Sequence, residues 1–147
     1  ENAQLHIAGG GTDLEKFKRL GREDRRIKFY GFLQYQKLKE LYKKANLLIV
    51  PSIWYDNSPT VIYESFSFGV PVIGSRIGGI PELIKEGYNG FLFEAGNVGE
   101  LKNILNKVIK KPEQLREIGK NASDSVEKYE ITKHLSKLMK IYTEATL

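Results

Sequence analysis

The chain has 147 residues, 41% hydrophobic and 28% charged, enough for one domain with a real core and short for two, and no apolar run approaches the ~20 residues that cross a bilayer. It has no cysteine, which excludes a disulfide framework and a Cys-ligated metal site, and two isolated histidines, His6 and His134, make a poor metal set. The net charge of +5 favours acidic partners such as phosphates, anionic lipid or nucleic acid.

Much of that charge sits in KFKRLGREDRRIK, residues 16–28, which reads as a solvated helix face and loop. With no zinc-finger spacing and no RNA-binding aromatic signature beside it, nucleic acid is set aside. The expected compartment is the cytoplasm. No secretory leader is seen, and the chain opens almost directly on a strand, as an excised domain would.

Taken in order, strands and helices alternate. Leu5 to Ala8 is a short apolar strand ending in Gly9-Gly10-Gly11, and Thr12 and Asp13 offer N-caps for a helix through about Leu20. Ile27 to Tyr30 is a second strand, closed by Gly31. Leu38, Leu41, Tyr42 and Ala45 recur at helical spacing and mark a helix between about Gln34 and Lys44. Leu47 to Val50 is a continuous apolar run, as in a strand covered on both faces.

A helix from about Pro59 to Phe68 and a strand from Val70 to Gly74 follow. Gly78 to Lys85 is a short helix, Asn89-Gly90 turns into the strand Phe91 to Phe93, and the rest is helical, broken near Pro112 and around Glu130. This alternation predicts α/β architecture: a Rossmann-like, doubly wound parallel sheet with helices on both faces, in a single domain over 1–147.

Such sheets bind ligands at the carboxyl ends of their strands, which singles out the loops Gly9 to Gly11, Gly31 to Leu33 and Ser52 to Val61. In the third, Ser58 is placed to cap a helix whose first residue is Pro59. The N–H groups of Thr60 and Val61 would then face a phosphate or diphosphate, although most capped helices meet only water. Glu64 lies about 7 Å along that helix at ~1.5 Å per residue, near the distance from a diphosphate to its ribose. The helix is apolar almost all round, so a carboxylate there needs partners: a vicinal diol, or an internal salt bridge. Asp56 can accept hydroxyls of a sugar or steady charge at an anomeric carbon; Asp56 or Asn57 can equally shape the loop as an Asx turn.

PSIWYDNSPTVIYESFSFGVPVIGSRIGGIPELIKEGYNGFLF resembles the signature block of the retaining GT-B glycosyltransferases of group 1 (family 4). The family's Glu-x7-Glu motif reads Asp56-x7-Glu64 here, followed by Gly69-Val70-Pro71-Val72, Gly78-Gly79-Ile80-Pro81-Glu82 and Asn89-Gly90. Upstream, LHIAGGG, IKFYGFL and LKELYKKANLLIVPS extend the resemblance.

The resemblance implies the C-terminal, donor-binding half of a GT-B enzyme, using a UDP-, GDP- or ADP-sugar without a bound metal or cofactor. It places Glu64 on the donor ribose and Asp56 near the transferred sugar. Asn57 belongs to that loop, and the backbone of Ser58, Pro59, Thr60 and Val61 falls near the diphosphate and sugar. Gly10 would line the phosphate side, and Phe32 and Leu33 would lie by the base, with core as the preferred reading for Phe32. Asp56 stands where the family has Glu and reaches about one methylene less, which matters for catalysis because shifts of about 1 Å are costly.

The family's diphosphate-clamping Arg and Lys and its N-terminal acceptor domain fall before Ala3, so this portion alone is expected not to turn over. In Val126 to Tyr142, the residues Tyr129, Ile131, Leu135, Leu138, Met139 and Tyr142 recur at helical spacing. The resemblance sends this last helix, within 126–147, onto the N-terminal domain; the alternative docks it on its own sheet. An exposed apolar face would allow self-association, and peripheral membrane association of the full-length enzyme stays open.

Other classes fit poorly. Leu14 occupies the third glycine position of a dinucleotide fingerprint, and there is no P-loop, nucleophile elbow or Cys nucleophile. The serious alternative is a non-catalytic domain that keeps the half-fold and binds a nucleotide or partner.

Overall fold

The chain is described over residues 3–145 in a computed structural model, and it divides between Lys44 and Ala45 into two units. The first contains β1 (Leu5–Ala8), α1 (Leu14–Gly21), β2 (Ile27–Gly31) and α2 (Tyr35–Lys44). β1 and β2 pair in parallel, Leu5 opposite Ile27 and Ile7 opposite Phe29, with a register shift that sets Ala8 against Gly31. α1 packs close to β2 at Gly21, where a β-carbon would touch the Phe29 ring at 3.0 Å. Asp13 takes the N-cap position of α1, but its side chain makes no capping bond there.

The second unit contains β3 (Leu48–Val50), α3 (Thr60–Ser67), β4 (Val72–Ser75), α4 (Ile80–Leu83) and β5 (Gly90–Phe93). Then come α5 (Val98–Lys110), α6 (Gln114–Val126), a 3-10 turn (Glu127–Tyr129) and α7 (Ile131–Ala145). Its sheet has the order β3-β4-β5, all parallel, with Leu48 opposite Val72, Val50 opposite Gly74, and Ser75 opposite Phe93. Every residue of the central strand β4 is buried. Val50, Ile62, Phe66, Val72, Ile80, Ile84, Leu92 and Ala122 form one core cluster. The predicted alternation and parallel pairing are present, with the strands distributed over two sheets.

α3 is less enclosed than its sequence suggests. Ile62, Ser65 and Phe66, spaced i, i+3 and i+4, are buried, whereas Tyr63 and Glu64 are half-buried and Val61 is exposed. The helix ends at Gly69, whose φ of +67 lets the N–H of Gly69 reach the carbonyl of Phe66 at 2.9 Å and that of Val70 reach Ser65 at 3.0 Å. α6 crosses this turn: a β-carbon on Gly119 would overlap the Gly69 carbonyl oxygen.

α5 opens with a side-chain cap. Asn97 Oδ1 accepts from the Glu100 N–H at 3.0 Å, and the Glu100 carboxylate accepts from the Glu94 N–H at 2.8 Å. α7 buries no residue, and Ile131, Leu135, Met139 and Tyr142 are exposed. Among the described residues no helix is long and apolar enough to cross a membrane.

Candidate functional site

In the second unit the loops leaving β3, β4 and β5 share the carboxyl edge of one parallel sheet, where strand termini leave room for a ligand. The loop after β3, residues 51–59, carries Asp56, Asn57 and Ser58. It is tied down at both ends. Ser75, fully buried on β4, donates its hydroxyl to the carbonyl of Ser52 at 2.7 Å. Gly79 donates its N–H to the carbonyl of Asp56 at 2.8 Å.

The Gly78-Gly79 turn is a seat for this loop. A β-carbon on Gly78 would overlap the backbone of Asp56, and one on Gly79 the carbonyl of Asn57. Gly78 also has φ +56, the left-handed region that glycine enters without steric cost. The glycine pair noticed in the sequence thus has a physical reason. It lets one backbone lie directly on another and fixes the position of the Asp56 carboxylate.

Asp56 is half-buried, and its Oδ1 accepts from the Ser58 N–H at 3.1 Å. This is the Asx-turn arrangement, one of the two readings of Asp56 open from the sequence, and it orients the carboxylate. On the same loop, Ile53, Trp54 and Tyr55 are exposed.

Ser58 does not cap α3 as expected. Pro59 holds the N-cap position with φ −62 and ψ 112, and α3 has no side-chain cap. The Ser58 hydroxyl instead lies 2.7 Å from the hydroxyl of Tyr63, which captures it one turn along the helix. Thr60 therefore opens α3 at the positive end of the helix dipole, with Val61 next to it. Glu64 follows about 6 Å further along at ~1.5 Å per residue. It is half-buried, and its backbone carbonyl accepts from the Ser67 hydroxyl at 2.7 Å.

The second unit therefore brings Asp56, Asn57, Ser58, Pro59, Thr60, Val61 and Glu64 onto one loop and the first turns of one helix. Ser75, Gly78, Gly79 and Tyr63 shape that site and were not singled out as site residues from sequence. The contacts of Ser75, Gly78 and Gly79 with the loop link positions far apart along the chain. A cavity of about 390 Å³ in this unit lies elsewhere, at the amino ends of β3 and β4, lined by Asn46, Pro71, Leu115 and Arg116 among others.

Gly10, Phe32 and Leu33 belong to the first unit. A β-carbon on Gly9, Gly10 or Gly11 would meet nothing within 4 Å, so the loop after β1 borders open space, and the Gly9 N–H donates to the Gly31 carbonyl at 2.8 Å. Phe32 is 86% exposed, which overturns the reading of it as core. It follows Gly31 at the strand end, where φ is +62, and the chain turns its ring outward. Leu33 is half-buried. Among the described residues no three His, Cys, Asp or Glu side chains are grouped so as to hold a metal ion.

A protein-family model described as Glycosyl transferases group 1 matches residues 1–125. Lipopolysaccharide 1,6-galactosyltransferase of Escherichia coli (strain K12) is 32% identical over 114 residues, covering 74% of this chain and 32% of that protein. N-acetyl-alpha-D-glucosaminyl L-malate synthase of Bacillus anthracis is 33% identical over 146 residues, covering 96% of this chain and 37% of that protein. Among solved structures, HepE of Anabaena in complex with UDP matches with a TM-score of 0.84 at 24% identity, over 97% of this chain and 41% of that one, a likeness of fold. The chain spans about a third of the length of these curated relatives.

Proposed function

The chain belongs to the glycosyl transferases group 1 family, and from that premise we propose that it is the donor-binding half of a GT-B enzyme. The enzyme transfers a sugar from a nucleotide-sugar to an acceptor hydroxyl with retention of configuration. The observation that carries this reading is the seating of the Asp56 loop on Gly78-Gly79, directly before the first turn of α3.

Each residue then has a role. The donor diphosphate lies at the first turn of α3, at Thr60 and Val61, where the helix dipole favours negative charge. Glu64 takes the two ribose hydroxyls. Asp56, oriented by the Ser58 N–H, faces the transferred sugar and stabilises positive charge as the glycosidic bond to the diphosphate lengthens. Asn57, Ser58 and Pro59 border the diphosphate and sugar. In the first unit, the exposed ring of Phe32 offers a stacking surface.

HepE was solved with UDP, which makes a uridine nucleotide the first donor to test. The exposed apolar face of α7 is assigned to the acceptor-binding half of the full-length enzyme.

Sugar transfer by the full-length protein tests the proposal. Asp56→Ala is expected to lower kcat by about a hundredfold or more, the scale of losing a stabilising group at the reacting centre. Asp56→Glu is expected to retain transfer. A second reading, a non-catalytic nucleotide-binding domain, is favoured by the aspartate at the family's glutamate position. Its signature is nucleotide binding with no transfer in either the unaltered protein or Asp56→Glu.

A further inference from the structure

Residues 16–28 of the first unit hold seven Lys and Arg against two Asp and Glu, so this one segment carries +5, as much as the whole chain. The structure shows how that charge is spent. Glu15, Glu23 and Asp24 are each taken up by a neighbour, by Lys18 at 2.8 Å, Arg22 at 3.6 Å and Arg26 at 2.7 Å. Lys16, Arg19, Arg25 and Lys28 make no ion pair among the described residues. The least exposed positions of α1 are Leu14, Lys18 and Gly21, spaced i, i+4 and i+7, and Gly21 packs against the Phe29 ring. The other side of the helix presents Lys16, Phe17, Arg19 and Leu20 to solvent, with Phe17 51% and Leu20 76% exposed.

We propose that this side of α1 is a docking surface for an anionic lipid bilayer, on which the first unit lies without spanning it. The four residues are spaced i, i+1, i+3 and i+4, so two unpaired cations and two exposed apolar side chains share one patch. A bilayer surface meets both needs at once: its headgroups attract Lys16 and Arg19, and its acyl boundary takes Phe17 and Leu20 out of water. Arg25 and Lys28 add to the positive potential of the unit. A nucleic acid or a small phosphate answers only the charge and leaves Leu20 in water. The inference is independent of the donor reading, because it uses no residue assigned to the nucleotide.

The test sediments the full-length protein with vesicles of phosphatidylcholine alone and with vesicles containing phosphatidylglycerol. It compares the unaltered chain, Leu20→Ser, and Lys16→Gln combined with Arg19→Gln, with Tm measured alongside. The unaltered protein is expected to bind the anionic vesicles at about 0.1 M salt and to lose most of that binding at about 1 M, where the screening length falls from ~10 to ~3 Å. The double charge variant is expected to bind about thirtyfold less, about fivefold for each cation near an anionic surface. Leu20→Ser is expected to bind about tenfold less, the scale of one leucine side chain returned to water, with its salt dependence unchanged. All of these side chains are exposed, so Tm is expected to stay the same.

No binding of the unaltered protein to anionic vesicles overturns the proposal, and so does equal binding of the unaltered and double charge variants. Full binding by Leu20→Ser shows a contact made by charge alone and also overturns it. Two competitors read the other occupants. Displacement from vesicles by glycerol 1-phosphate at the same phosphate concentration identifies a small-phosphate site. Binding to duplex DNA that falls in the charge variant, with vesicle binding unmoved, identifies nucleic acid. Either result refutes the bilayer as the partner of this face.

Discussion

Gly79 and Asp56 are joined by a backbone hydrogen bond of 2.8 Å, so that the turn leaving β4 carries the loop leaving β3. Gly79 has φ −83 and ψ −2, angles that any residue adopts. Its need for glycine comes from proximity alone, because a β-carbon would overlap the Asn57 carbonyl. Gly78 needs glycine on two counts, proximity to Asp56 and a φ of +56.

Gly79→Ala is therefore expected to push the Asp56 loop off its seat. The overlap is with backbone, which has no rotamer to retreat into, and the cost is about 1–3 kcal/mol of stability, as for other overpacked sites. Urea unfolding measures that cost. Nucleotide affinity is expected to fall as well, since Ser58 and Thr60 move with the loop.

Asn89 offers a contrast, because its work is structural. Its side chain is buried, its Oδ1 accepts from the Lys85 N–H at 2.7 Å, and its Nδ2 donates to the Leu83 carbonyl and the Ser125 hydroxyl at 3.1 Å each. Asn89→Ala leaves these groups without partners, at about 1–3 kcal/mol for a buried group left unsatisfied. Denaturant melts are expected to show the loss, with nucleotide affinity unchanged wherever the protein remains folded.

A pH-dependent contribution is located in the first unit. The Arg26 guanidinium and N–H both bond to Asp24, at 2.7–3.2 Å, and the side-chain bond above all lowers its carboxyl from 3.8 to about 2. A carboxylate with a depressed folded pKa adds stability above its unfolded pKa. That contribution is complete above about pH 4 and is lost as the pH falls from 3.8 through about 2. Arg26→Ala is expected to return the Asp24 midpoint toward 3.8, read by NMR titration of its carboxyl carbon.

The order and type of most elements were legible in the sequence. Apolar runs such as Leu47 to Val50 and the glycines that close strands are local signals, and a parallel sheet follows from their alternation with helices. The loop 51–59 and α3 were legible for the same reason. Harder to read was what one segment does to another. Ser58 obeys a sound local rule for capping, yet Tyr63 overrides it through a side-chain bond across five positions. The apolar composition of α3 suggested burial all round, whereas its packing encloses Ile62, Ser65 and Phe66 and leaves Val61 exposed. Asn89 read as a turn residue, and its bond to Ser125 on α6 depends on tertiary packing. Phe32 read as core, but it is exposed just after the turn at Gly31.

The central claim is that the first turn of α3 and Glu64 hold the diphosphate and ribose of a nucleotide. Isothermal titration of the full-length protein with UDP, GDP and ADP, beside Glu64→Ala, tests it most directly. The account predicts saturable binding of one nucleotide, weakened more than about tenfold in Glu64→Ala, since hydrogen bonds to a charged group contribute about 1.5–3 kcal/mol and 1.4 kcal/mol is tenfold. Equal affinity in the two proteins, or no binding of any of the three, would contradict it.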